Sequence, residues 1–417
     1  MTGDRPLRIL QVSNTDLVGR AFNGYDLIDD LDRFSTSCEQ IVLHKSSCDT
    51  RVHQILSTND IVFQKRIGYL ESVYGVHDAF FPWAERLKQH PSFINADIVH
   101  YHLIQNQMLS LFDFADLTRI KPSVWTLHDP WFFTGHCIHP IQCELWRTGC
   151  EHCPDLERPF SIGLDTSAIN WAIKKQTASL LESEIVVHSA WMFDMLQQSP
   201  IGRQLQNTRL IDFGIKGPAT VHTREEARIR LKIPAEAQVL FFRNDDIELK
   251  GTADLMKVLE SFEHSGSLVL LTVGESRLPR RIRGRYQAIE LGWSNDRDHL
   301  FDAFSACDLF LMPSWAESFG AMAAEAMIVG RPVIAYENTA LSSTINAPAC
   351  GTVVPWRDTR ALSSAIRWHL NNPDQSQTIG KKAQAWAQEK YDYLNFLNKI
   401  MKTYHAVTAR RIVRSSE

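Results

Sequence analysis

No run of apolar residues in this chain approaches the roughly 20 needed to cross a bilayer as a helix, so no membrane-spanning segment is expected. Cysteine is sparse, with 8 in 417 residues, which excludes a small disulfide-held scaffold. Glycine (20) and proline (17) are too few for a collagen-like chain, and there is no short-period repeat or low-complexity tract. Neither sign of charge dominates: 44 Lys and Arg stand against 48 Asp and Glu, a formal net charge of −4. A chain so balanced has no global attraction for nucleic acid, and none is expected as a partner. The start, MTGDRPLRILQVSN, passes from charged residues into an apolar run too short and too early for a secretory signal, so a cytoplasmic location is expected.

What is there is an ordinary globular composition, 44% hydrophobic and 22% charged. A single core stops growing near ~250 residues, so the length favours two domains. Short β-branched runs bounded by turn residues recur at 7–13, 40–44, 98–103, 123–127 and 184–188, separated by longer amphipathic stretches. The series restarts at 238–243, 268–274, 287–291, 309–313 and 332–336. That rhythm is the one expected of parallel strands joined by helices. The reading is two doubly wound α/β units joined near residues 200–220, with domains at 1–205 and 206–389. Residues 375–409 read as helix, with Trp386, Tyr391, Leu394, Leu397, Met401 and Tyr404 on its apolar positions, and the part from 390 to 417 is expected to cross back onto the first domain. Its end carries Lys399, Lys402, Arg410, Arg411 and Arg414, which suits either a solvated face or a contact with anionic lipid. Ligands of open α/β sheets bind beyond the carboxyl ends of the strands, so a cleft between the two units is the default site.

The segment richest in chemistry is LFLMPSWAESFGAMAAE, residues 309–325. An apolar strand runs into a loop, and a helix is expected to open at Ser318, Phe319 and Gly320, where backbone amides suit an anion or a polar sugar edge. Glu317 stands at the mouth of that helix and Glu325 eight residues on, slightly more than two turns, so both are expected on about the same face. By spacing alone the pair fits either a ligand site or an acid complementing the helix dipole plus a solvated glutamate.

Glutamate, seven residues, glutamate within PSWAESFGAMAAEAMIVGRPVIA closely resembles the donor-site signature of GT-B glycosyltransferases, in particular the retaining family 4 type. Three further segments fit in order: VWTLHDPWFFTGHC, IELKG, and LGWSNDRDHLFDAFSACDLFLMPS. The first of them looks most like the bacterial glycosyltransferases that build surface polysaccharides. The resemblance implies two Rossmann-like domains facing across a cleft, with a C-terminal helix crossing back to the first. It implies transfer of a sugar from a UDP- or GDP-sugar to a hydroxyl of a saccharide or lipid-linked acceptor with retention, the latter acceptor giving peripheral membrane contact a purpose. No Asp-x-Asp pair stands at a strand end in the cleft region, so no catalytic divalent ion is expected. The rival readings are a nucleotide-sugar epimerase or hydrolase on the same scaffold, and a non-catalytic sugar-nucleotide-binding subunit of an assembly complex.

Matched position by position, the resemblance assigns Glu325 to the donor ribose, Glu317 to sugar hydroxyls, and the amides of Ser318, Phe319 and Gly320 to sugar and diphosphate. It assigns Lys250 to the diphosphate, a point charge that stabilises the leaving group. Arg243 is the basic candidate for the arginine that the family places before that lysine, although the acidic insert NDDIE lengthens the spacing. Trp293 falls where the base pocket is lined. His128, at the end of 123–127, matches a histidine that bonds the donor sugar, against the plainer reading of a capping or core histidine. Gly19 and Gly24 resemble the family's glycine loop, with Arg20 where a small residue is common: either Arg20 joins the phosphate site or the loop has drifted. After Tyr336, Ser342 and Ser343 occupy the place of a glycine turn. Phe22, Tyr25, Trp131 and Phe132 suit either stacking on an acceptor sugar or the core.

Four cysteines crowd together: Cys137, Cys143, Cys150 and Cys153, with His136, His139 and His152 beside them. A terminal C-x-x-C with two further thiolates suits a structural zinc, while the wide first spacing suits free thiols, and disulfides are the third alternative. Cys38, Cys48, Cys307 and Cys350 are scattered and expected to be buried thiols.

Overall fold

Strands in which nearly every residue is apolar bury both faces, and such strands pair in parallel under a layer of helices on each side. In the computed structural model, which describes residues 5–293, 296–337 and 339–416 and no side chain beyond 411, they form two sheets, parallel throughout. The first contains β1 (Arg8–Thr15), β2 (Ser37–His44), β3 (Val52–Gln54), β4 (Ile98–Tyr101), β5 (Ser123–Thr126), β6 (Ser183–Val187) and β7 (Thr208–Leu210), in the order β3-β2-β1-β4-β5-β6-β7. The second contains β8 (Gln238–Arg243), β9 (Leu268–Val273), β10 (Gln287–Glu290), β11 (Leu309–Met312), β12 (Val333–Tyr336) and β13 (Thr352–Val354), in the order β10-β9-β8-β11-β12-β13. The direction of winding reverses between β1 and β4 in one sheet and between β8 and β11 in the other, the two switch points beside which ligands of such sheets bind.

All ten anticipated strands are present, so the doubly wound α/β class holds for both units. The three that the pattern did not announce, β3, β7 and β13, have three residues each and lie on sheet edges, where so short a run shows no period. By internal packing one unit comprises Met1–His188, Met192–Ile211 and Leu397–Glu417, and the other Ser189–Trp191 and Asp212–Phe396. The first unit runs to Ile211 rather than 205 because β7 pairs with β6, Ile185 against Thr208.

The C-terminal segment is two helices, Pro373–Lys390 and Tyr393–Ser416, rather than one from 375 to 409. The first stays with the second unit, where Gly380 packs so closely that a Cβ there would stand 2.2 Å from the Gly330 carbonyl oxygen. The second joins the first unit from Leu397 on. There Arg410 pairs with Glu184 and donates to Asn207 at 3.0 Å, and Arg411 pairs with Glu182 at 3.0 Å. Those two basic residues are thus engaged within their own unit. Arg414, like Ser294 and Asn295 of the LGWSND segment, lies outside the described side chains.

One helix of the first unit is inverted. Asp60–Tyr74 buries Asp60, Gln64 and Glu71 and exposes Val62, Phe63, Tyr69, Leu70, Val73 and Tyr74. The buried acids are satisfied: Glu71 accepts from the amides of Asp78, Ala79 and Phe80, and Asp60 holds Arg86 in a bidentate pair. Trp131 and Phe132 are core residues, each 1% exposed, and not acceptor platforms. Cys48 is exposed, which corrects the expectation that all four scattered cysteines are buried; Cys38, Cys307 and Cys350 are.

In the second unit the sheet is fixed to its first helix by charge. The helix Arg224–Arg230 opens on a Thr223/Glu226 capping box and sends Arg228 inward to the carbonyls of Ala306, Ala235 and Ala237 and to Asp308 at 2.9 Å. Asp308 also accepts from Arg224 and from the Val239 amide at the start of β8. Asp308→Ala leaves the Arg228 guanidinium, 3% exposed, without its carboxylate, so thermal denaturation is expected to show a loss of about 3 kcal/mol.

Candidate active site

The carboxyl ends of β8 and β11 gather the second unit's chemistry. After β8 the chain makes a short turn, Glu248–Lys250, and Gly251 follows with φ +66°. A Cβ on Gly251 would lie 1.8 Å from the Pro313 carbonyl oxygen, so this close approach admits glycine alone. The Trp315 amide donates to the Leu249 carbonyl at 2.8 Å and closes the contact between the two loops. Held so, Lys250 Nζ donates to Glu317 Oε1 at 2.7 Å, in a pair whose side chains are 24% and 12% exposed.

The loop after β11 presents its amides and ties back its carbonyls. Glu317 C=O accepts from the Ala340 amide, Ser318 C=O from the Ser189 hydroxyl, and Phe319 C=O from the Thr344 hydroxyl. The amides of Ser318, Phe319 and Gly320 donate to none of the described residues. Gly320, at φ +87° and with Leu341 where its Cβ would be, caps the helix Ala321–Ile328. The helix therefore opens three residues later than the spacing suggested, and Glu317 is a loop residue. Glu317 therefore shares no helix face with Glu325. Glu325 lies inside that helix, 8% exposed; burial raises its carboxyl above the usual range, and Arg297, 3.4 Å away, opposes the rise. Arg297 was not singled out in the sequence, although it sits in the LGWSNDRD segment; its Nε is fixed on the Lys216 carbonyl at 2.7 Å.

Arg243 ends β8, ion-pairs with Asp245 of the acidic insert, and lies over the Trp293 ring at 5.4 Å. The structure thus brings Arg243 and Trp293 together, with the arginine already neutralised by its neighbour. Ser343 turns its hydroxyl back to the Ala340 carbonyl at 2.8 Å within the short helix Leu341–Thr344.

In the first unit, His128 follows β5 and is half-buried, its Nε2 3.2 Å from His102 Nδ1. Desolvation and the neighbouring His102 and His188 hold its pKa well below the usual histidine range, so it is neutral. Gly19 has φ +69° in an open loop. Arg20 pairs with Asp26 at 2.5 Å and lies over the Tyr25 ring at 5.0 Å, so its guanidinium is engaged locally.

Cys137, Cys143, Cys150 and Cys153 line one small cavity together with His136 and Arg158. Among the described residues no three His, Cys, Asp or Glu side chains are set to hold one ion. Cys150 Sγ accepts from the Gly135 amide at 3.1 Å, and His136 Nε2 lies 3.2 Å from Cys153 Sγ. Burial pushes the Cys137 and Cys150 thiols up to about 11 and about 12. Beside them is Lys174, fully buried and drawn down to about 7 by desolvation, donating to the Trp131 and Thr134 carbonyls.

Residues 223–386 match the sequence profile of the family described as glycosyl transferases group 1. Over 270 residues the chain is 25% identical to WcaC of Escherichia coli strain K12, named as a colanic acid biosynthesis glycosyl transferase, covering 61% of this chain and 64% of that one. It is 28% identical over 204 residues to a D-inositol 3-phosphate glycosyltransferase of Corynebacterium urealyticum, 46% of this chain and 48% of that one. The chain thus matches about half to two thirds of the length of these relatives. Among solved structures, HepE of Anabaena, in complex with UDP and glucose, superposes with a TM-score of 0.67 at 16% identity over 95% of this chain and 99% of that one. That likeness bears out the GT-B fold.

The thiols give this region its own test. Cys48, Cys143 and Cys153 are accessible and should react with a disulfide reagent within seconds at pH 8, while Cys137 and Cys150 wait for unfolding. Protection of Cys143 and Cys153, with release of about one zinc per chain on modification, would instead establish the structural ion.

Proposed function

We propose that this chain, whose residues 223–386 are a glycosyl transferases group 1 domain, transfers a sugar from a nucleotide-sugar donor to a hydroxyl acceptor with retention, in the synthesis of a bacterial polysaccharide or glycoconjugate. The observation that carries this reading is the geometry beyond β8 and β11: the Lys250–Glu317 pair, three undirected amides at Ser318 to Gly320, and buried Glu325 with Arg297. A diphosphate offers Lys250 a second anionic partner and gives the amides the acceptors they lack. Glu325 can accept two hydrogen bonds from a ribose diol. As the bond from the anomeric carbon to the phosphate oxygen breaks, Lys250 and the amides hold the charge that develops on the departing diphosphate. The acceptor hydroxyl attacks from the same face, and its proton passes to the leaving phosphate oxygen. In this reading those groups do the work otherwise done by a divalent ion. A UDP-sugar is put before a GDP-sugar, since the similar HepE structures hold UDP and UDP-glucose.

A lipid-linked acceptor and a peripheral contact at the inner membrane face are supported by the helix Asp60–Tyr74 rather than by the basic C-terminal end, where Arg410 and Arg411 are paired. At 100° per residue its six exposed apolar side chains share an arc of roughly 140°, with Arg66 inside the arc and Lys65 about 40° beyond its edge. Aromatic and aliphatic residues with interspersed basic ones suit an anionic bilayer surface.

Thermal shift, turnover and vesicle co-sedimentation test these readings. A thermal-shift screen is expected to raise the melting temperature with UDP and UDP-sugars more than with GDP, ADP or CMP. Lys250→Ala should remove most of that shift and lower turnover by roughly a hundredfold or more while leaving the ligand-free melting temperature nearly unchanged; a large loss of stability with normal turnover would reject the role. For the surface, the chain should co-sediment with vesicles containing anionic lipid, and Phe63→Ser with Leu70→Ser should abolish that binding without changing the oligomeric state.

A further inference from the structure

His128 is one end of a buried polar chain that nothing in the resemblance describes. His102 Nδ1 faces His128 Nε2 at 3.2 Å, and His102 Nε2 faces Gln11 Oε1 at 2.8 Å. The amide nitrogen of Gln11 points the other way, to Tyr404 Oη at 3.4 Å and Cys38 Sγ at 3.6 Å. Tyr404 Oη meets His100 Nδ1 at 2.7 Å, and His100 Nε2 meets Thr126 Oγ1 at 2.8 Å. Every one of these residues belongs to the first unit: β1, β2, β4 and β5 with the residues that follow them, and the helix that returns from the C-terminus.

The direction of the protons follows from donor and acceptor counting. An amide oxygen only accepts, so His102 carries its proton on Nε2; the Phe22 carbonyl is a further acceptor for that ring. His102, 4% exposed and kept neutral by desolvation, then has only a lone pair on Nδ1. The partner atom, His128 Nε2, must therefore be the N–H. A neutral imidazole has one N–H, so His128 Nδ1 is left as an acceptor, and it takes no hydrogen bond from any described residue. Gly24 guards this arrangement: with φ +88°, a Cβ there would lie 2.7 Å from both Gln11 Oε1 and His102 Nε2.

We propose that His102 is a positioning residue that holds His128 in the Nε2–H tautomer, so that His128 meets the donor sugar through Nδ1 as a hydrogen-bond acceptor and selects a hydroxyl there over a carboxylate. This rests on the transferase reading given above. The chemistry is one of exclusion: a carboxylate at that point of the sugar presents only lone pairs to a lone pair, whereas a hydroxyl supplies the missing proton.

The test uses the full chain labelled with 15N at histidine. Long-range 1H–15N spectra should show His128 as a single neutral Nε2–H tautomer in the wild type. His102→Leu removes the acceptor and should leave two tautomers, with kcat for a UDP-hexose down about tenfold and the donor KM within about twofold. His102→Gln offers an amide oxygen to the same N–H and should restore a single tautomer and most of kcat. An Nδ1–H tautomer in the wild type, a tautomer that His102→Leu does not disturb, or tautomer mixing with no loss of kcat would each overturn the proposal. A wild type that turns over no nucleotide sugar would sink the transferase reading instead, while the spectra still decide whether His102 sets the tautomer.

Discussion

The contact of Gly251 with the Pro313 carbonyl is the constraint on which the Lys250–Glu317 site depends. Parallel strands end on one edge of a sheet, so the loops after β8 and β11 are neighbours by topology, but neighbourhood alone does not place a side chain to within an ångström. The approach of the two backbones does. It holds the turn carrying Lys250 against the loop carrying Glu317, with the Trp315 amide bonded to Leu249 as the second point of attachment. Asp254, buried one turn further on, accepts from the Trp315 indole at 2.8 Å and adds a third. An ammonium whose backbone is fixed at three points gives up little freedom when it meets an anion, which is the sense in which such a group is preorganised.

How much of this was legible depends on whether the signal is local. The ten strands of four or more residues were visible because apolar runs between turn residues are a local property. The Glu317 to Glu325 signature and the Lys250-Gly251 pair were visible as short motifs. The helix start was misplaced by three residues because Phe319 turns into the core, against Tyr391 and Phe213, before the helical register begins at Gly320. Trp131 and Phe132 offered stacking platforms by residue type alone, and their burial against Lys174 and Trp125 respectively is set by contacts that no spacing reveals. Arg297 as the partner of Glu325 and His102 as the partner of His128 are pairings 28 and 26 residues apart, set by strand order rather than by sequence.

Buried ion pairs occur in both units, Asp60 with Arg86 and Glu184 with Arg410 in the first among them, but the first unit also carries buried polarity without charge. In the second, charge is set against charge: Asp308 with Arg224 and Arg228, Asp302 with Arg230 and His222, Glu325 with Arg297. These pairs hold elements in place, and Arg228 would be a liability without its carboxylate. In the first unit, the chain from Thr126 to His128 contains no charge, because desolvation keeps each of its histidines neutral. A neutral chain stabilises less per bond than an ion pair, but the donor and acceptor assignment at Gln11 sets that of His102 and, through it, that of His128. Specificity of protonation, not strength, is what such a chain supplies.

The same logic explains the glycine loop of the first unit. By its resemblance the loop is expected to bring backbone close to phosphate, yet the atoms nearest to a side chain at position 24 are Gln11 Oε1 and His102 Nε2. The glycine keeps room for the polar chain behind the loop, and Arg20, paired with Asp26 and stacked on Tyr25, is held as part of the loop's own structure. The unusual GRAFNG sequence then reads as a loop shaped by what lies beneath it. Gly24 is required by His102, and His102 by the ring that ends β5.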